Sequence, residues 1–142
     1  MSSEILNQED TFELQMVHQD LLADAVFLIG TLISISQNKE AEQKIINPAE
    51  NQPSGMNAAP EDIVPFSLGV IVLVLFLIGT GILALTASER LDKQKAEAGS
   101  FPDQTTVNNI KGGEIVILGQ LIRIIGYTIS IIGEKIRIAN PV

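Results

Sequence analysis

Apolar positions in this chain are gathered into three blocks separated by polar stretches, and the central block is the plainest. Residues 63–88 carry no Asp, Glu, Lys or Arg and include the run PFSLGVIVLVLFLIGTGILALTAS. As a helix rising about 1.5 Å per residue, a run of this length reaches roughly 39 Å, more than the ~30 Å thickness of bilayer hydrocarbon. It predicts a transmembrane helix with some tilt. A helix in the core of a small soluble domain seldom offers so long an uncharged run.

The third block, residues 114–138, is long enough to span but holds Gln120 and Arg123 near its middle. Glycines recur every seven residues, at Gly112, Gly119, Gly126 and Gly133. The polar side chains Gln120, Arg123, Tyr127, Ser130, Glu134 and Arg137 step by three and four. Those intervals are helical, since a strand would alternate by two. At about 100° per residue, glycines and polar groups share one face, with Ile115, Leu118, Ile122, Ile125, Ile129 and Ile132 opposite. The isoleucines would favour a strand in water, but a helix satisfies its own backbone inside a bilayer, where an open strand cannot.

The first block, residues 1–36, begins as an acidic amphipathic helix near Asp10 and turns apolar from Ala25 through AVFLIGTLISIS. Its uncharged length is short for a full span, which suggests an interfacial or half-inserted helix unless Asp20 and Asp24 are neutralised within the protein. Asp20, Ala23, Asp24, Gly30, Thr31 and Ser34 form its small and polar face, which Phe27 interrupts. Shifted by 96 positions, Leu22, Ile29, Gly30, Ile33, Ser34, Ile35 and Lys39 match Leu118, Ile125, Gly126, Ile129, Ser130, Ile131 and Lys135, as diverged copies of one helix would. Residues 37–62 form a Pro-, Asn- and Gln-rich linker, residues 89–113 a charged one, and residues 139–142 a tail. Pro48, Pro53, Pro60 and Pro102 disfavour long helices there. The segment 89–98 is suited to extend the central helix into water until Gly99 ends it.

Composition sharpens this picture. Mean hydropathy is positive, +0.30, although 18% of residues are charged. The absence of cysteine excludes disulfides and thiolate chemistry, and a net charge of −8 with scattered basic residues argues against nucleic acid as a partner. The first 38 residues lack Lys and Arg, so no basic start of a cleaved signal is present and the blocks are expected to be retained. The sole histidine, His18, has no ligand partner at helical spacing, and Ser67, Tyr127 and Ser130 have no base in the same span. No catalytic, cofactor or metal site is therefore expected.

Arg123 is the costly residue. An ionised Arg at mid-bilayer costs about 2.5–3.5 kcal/mol on insertion scales, so it demands a partner or water. Asp24 is the expected partner, with Asp20 one turn away as the alternative. The glycine column would let two helices approach closely. The sequence thus predicts an all-α integral membrane protein whose first and third helices pack through their small and polar faces, via Gly30, Gly112, Gly119, Gly126 and Gly133. Membrane lipid and other membrane subunits, its own copies included, are the expected partners. The expected role is a non-enzymatic structural or accessory subunit; the alternative is a holin-like pore lined by Gln120, Arg123, Tyr127 and Ser130. Arg90, Lys93 and Lys95 after the central span place residues 89–113 in the cytoplasm, at the cell membrane. If all three helices span, Lys39, Lys44, Lys135 and Arg137 balance that side's Arg90, Lys93, Lys95 and Lys111.

Overall fold

A computed structural model describes residues 8–47 and 68–139. Within them the chain is all-helical: α1 is Gln8–Ile46, α2 is Leu68–Glu97 and α3 is Gln104–Ala139. The start of the central apolar run at residues 63–67, most of the first linker and the tail lie outside the described residues.

All three helices are longer than their apolar blocks. α1 continues past Ser36 to Ile46, α2 runs to Glu97, and α3 starts at Gln104, so only residues 98–103 of the charged linker separate helices. Local chemistry sets those two ends. Gly99 adopts φ 63°, a left-handed conformation that glycine takes without a Cβ penalty, and Ala98 N–H donates to the Gln94 carbonyl at 3.1 Å. Asp103 then caps α3: its Oδ1 accepts the Thr106 N–H at 2.7 Å. The bonds from Thr106, side chain first and then backbone, hold the Asp103 carboxyl below its usual range.

Each helix is long and apolar enough to cross a membrane. Lengths of 39, 30 and 36 residues correspond to roughly 58, 45 and 54 Å, each more than the ~30 Å of bilayer hydrocarbon. The first helix therefore meets the length criterion that its uncharged core alone did not, and the central helix is not the only candidate span.

α2 lies between the other two. It runs antiparallel to α1, with Lys93 near Glu13 at one end and Phe76 beside Gly30 farther along. It runs antiparallel to α3 likewise, with Lys95 near Glu114 and Phe76 near Tyr127. α1 packs on α2 and α2 on α3, while α1 and α3 do not touch among the described residues. The expected packing of the first helix on the third is thus corrected: both turn toward the helix between them.

Covered positions on α1, including Met16, Gln19, Ala23, Val26, Gly30 and Ile33, alternate by three and four. So do Gly113, Ile117, Gln120, Ile124, Tyr127 and Ile131 on α3. This heptad spacing is that of left-handed helix pairs. Little is buried, however. Among the described residues, Met16, Ala23, Val70, Val72 and Leu91 are the buried apolar ones, and α3 contributes none.

Candidate functional site

The layer has two unlike faces, and an aromatic row marks one of them. The Phe76 ring lies 5.8 Å from Phe27 on α1 and 5.8 Å from Tyr127 on α3, so all three rings stand on the same side. Residues seven positions from each ring share its column. That places Asp20 and Ser34 beside Phe27, and Gln120 and Glu134 beside Tyr127. Phe27, the exception on the polar face of the first helix, is the residue that joins this row. The opposite side is apolar and exposed: Leu22 and Ile29 on α1, Ile71, Val74 and Ile78 on α2, Leu118 and Ile125 on α3.

On α1 the small residues allow close contact with α2. A Cβ on Gly30 would stand 2.7 Å from Phe76 Cε1, and one on Gly79 would stand 3.0 Å from the Phe27 ring. Each glycine therefore accommodates a ring from the facing helix. Polar contacts continue the seam toward the charged end. Thr86 Oγ1, in a buried residue, lies 2.8 Å from Gln19 Oε1 and 3.0 Å from the Ile82 carbonyl, and Gln19 Nε2 donates to Glu89 at 3.4 Å. Arg90 binds Asp20 at 2.6 Å. Lys93 reaches Glu13 at 3.3 Å and sits 4.6 Å over the Phe12 ring.

The Asp24–Arg123 pairing within one chain is corrected by this geometry. Asp20 takes a partner on α2, Arg90, while Asp24 and Arg123 are exposed on helices separated by α2. The sequence assigns Arg90 an orienting role alone; the signal for its pairing is its position where α2 leaves the apolar run, on the helix facing Asp20.

On α3 the small and polar face divides. The column Gly113, Gln120, Tyr127 faces α2, and a Cβ on Gly113 would stand 3.0 Å from Leu91 Cδ1. The next columns, with Arg123 and Ser130 and then Gly112, Gly119, Gly126 and Gly133, are exposed. A Cβ at any of those four glycines would meet nothing within 4 Å. Gly30 and Gly126, matched by the 96-residue shift, therefore differ in surroundings: Gly30 backs Phe76, whereas Tyr127 takes that place on α3. Gln120 Oε1 is buried without a hydrogen-bond partner. Ser130 Oγ donates to its own helix, at the Gly126 carbonyl, 2.9 Å away.

Among the described residues, no group of three or more His, Asp and Glu is placed to hold a metal ion, and His18 is exposed. No protein-family model, curated protein or solved structure matches the chain.

Proposed function

We propose that this chain is a non-enzymatic subunit of the membrane that works by assembling with other membrane helices, its own copies included. The observation that carries the reading is the unpartnered part of α3: Arg123 and Ser130 beside four glycines with open space above them. Facing lipid, Arg123 would carry the insertion penalty of about 2.5–3.5 kcal/mol, and the bare glycine backbone would forgo packing. Both costs vanish against another helix. The apolar opposite face suits lipid.

The test is extraction followed by sizing. Membranes should retain the protein through salt washing, and mild detergent should release it as a multimer or together with other membrane proteins. Recovery in the soluble fraction without detergent, or as a lone monomer in mild detergent and uncross-linked in membranes, sinks the proposal.

A pore is the second reading, favoured by the placement of Gln120, Tyr127 and Asp20 on one side of the layer. A closed ring with that side inward would enclose polar groups and the aromatic row. Purified protein in vesicles should then release a trapped small fluorophore, and release should change when Arg123 is replaced by Gln. Sealed vesicles at high protein content would leave the packing subunit as the sole reading.

We further propose that residues 89–113 lie on the cytoplasmic side, at the cell membrane. The support is the count around α2 alone, Arg90, Lys93 and Lys95 after it against Glu61 and Asp62 before it. With all three helices spanning, Lys39, Lys44, Lys135 and Arg137 on the other side equal Arg90, Lys93, Lys95 and Lys111, and the count favours neither side.

A further inference from the structure

We propose that copies of this chain join edge to edge, α1 of one against α3 of the next, with Asp24 paired to Arg123 across the contact. The inference rests on the assembly reading above and names its interface. Three features of the layer lead to it.

The first is depth. Gly30 and Tyr127 both meet Phe76 and so lie at one level of the layer. Asp24 precedes Gly30 by six residues and Arg123 precedes Tyr127 by four, on helices that run the same way because both oppose α2. The difference of two residues is only about 3 Å along the axis, within reach of an Arg side chain. Copies inserted with the same orientation share their depth in the bilayer, so Asp24 of one stands level with Arg123 of another. The rest of the contact keeps this register, since Thr31 and Ser130 follow seven residues after Asp24 and Arg123.

The second is direction. Asp24 lies one residue past Ala23, which faces α2, on the side of α1 that bears Phe27. Arg123 lies in the column beside Gln120 and Tyr127, on the side of α3 that bears the same aromatic row. The two charges therefore stand on one face of the layer, at its two opposite edges, where a single chain cannot join them and a row of chains can. Between Arg123 and the outer edge of α3 runs the glycine column, with nothing within 4 Å of any added Cβ. An incoming α1 seated there would approach close enough for the pair to form.

The third is charge. Asp24 and Arg123 are opposite in sign, and both are exposed within apolar surroundings. Pairing removes two penalties at once. Because the donor edge differs from the acceptor edge, the contact is head to tail, and it closes into a ring if the rotation between neighbours permits.

The absence of cysteine makes the test direct. Full-length chains carrying Thr31→Cys and differently tagged chains carrying Ser130→Cys are co-expressed and oxidised in the membrane. The expected product is a cross-linked pair holding one of each tag, and a chain with both cysteines should give a ladder of multimers. In that double-cysteine background, Asp24→Arg alone or Arg123→Asp alone should shrink the ladder about tenfold or more, since each change sets like charges together. Co-expressing the two charge variants should restore it, because every alternating contact then joins opposite signs. This restoration cannot arise within one chain, and it excludes misfolding as the cause of the loss. A multimer that sizes normally but yields no 31–130 cross-link overturns this interface and leaves the assembly reading standing. Cross-linking indifferent to both charge changes, or loss that mixing fails to restore, overturns the pair. A monomer in mild detergent with no cross-link in membranes overturns both proposals together.

Discussion

The two seams of α2 differ more than their similar helix spacing suggests. Against α1, α2 sets glycines opposite rings in both directions, buries Met16 and Ala23, and joins Thr86, Arg90 and Lys93 to polar groups across the contact. Against α3, one glycine meets Leu91, one ion pair joins Lys95 to Glu114 at 2.9 Å, and Gln120 Oε1 is left buried without a partner. The first seam is a finished helix pair. The second uses part of a face whose remaining columns are exposed, and on that ground α3 is the element we propose to meet other helices.

That contrast can be broken most forcefully at Met16. Fully buried between α1 and α2, it should cost about 2–5 kcal/mol when replaced by Ala, whereas Ile117→Ala on the half-covered seam of α3 should cost no more than about 1 kcal/mol. Reversible unfolding in mixed micelles, followed by circular dichroism, measures both. Equal losses would erase the distinction between the seams.

Glycines sharpen it next. Gly79→Leu forces a side chain into the Phe27 ring and should destabilise the isolated chain by about 1–3 kcal/mol. Gly126→Leu, which meets nothing within the chain, should leave monomer unfolding within about 0.5 kcal/mol of the parent while lowering multimer yield in membranes. A monomer defect at Gly126 would mean that its column is already packed within one chain.

A smaller effect is expected at Thr86. Replacing its hydroxyl with a methyl in Thr86→Val strands Gln19 Oε1 in a part-buried seam and should cost about 1–2 kcal/mol. The corresponding change on the other seam, Gln120→Leu, removes an acceptor that is already unsatisfied and should be neutral or stabilising in the monomer.

The mildest prediction concerns the cap of α3. The Asp103 carboxyl titrates lower folded than unfolded. Its contribution is therefore complete above the ordinary Asp range and is lost as pH falls through the lowered folded value. Asp103→Ala should reduce helix content at neutral pH and flatten its dependence on acid, read by circular dichroism of the detergent-solubilised chain.

Much of this architecture was legible from hydropathy alone: three helical blocks, the end of α2 at Gly99, and an α3 apolar on one face and small-polar on the other. The order of packing was not. Periodicity shows that Gly30 and Gly126 lie on small faces, but it does not say which helix each face meets. Nor did composition reveal how far the helices extend. Arg90, Lys93 and Lys95 read as a water-exposed linker, yet each meets a carboxylate on a neighbouring helix, so charged sequence remains helical where facing charges support it. Asp20 and Asp24, one turn apart, show the limit at the site itself. Only the position of α2 assigns Asp20 to Arg90 and leaves Asp24 at an open edge.

With their apolar stretches across a bilayer, the helices would overrun it at one end, where the starts of α1 and α3 flank the end of α2 as a short stalk. With the apolar stretches across the hydrocarbon, roughly ten residues of each helix, about 15 Å, stand clear of it there. On α1 this stretch brings Glu9, Asp10 and Glu13, against an α2 end whose Glu89, Asp92 and Glu97 already balance Arg90, Lys93 and Lys95. The stalk is thus net acidic and is repelled by anionic headgroups. Such repulsion would hold it upright as a post, with its tip, the Gly99–Asp103 turn, above the lipid surface rather than upon it.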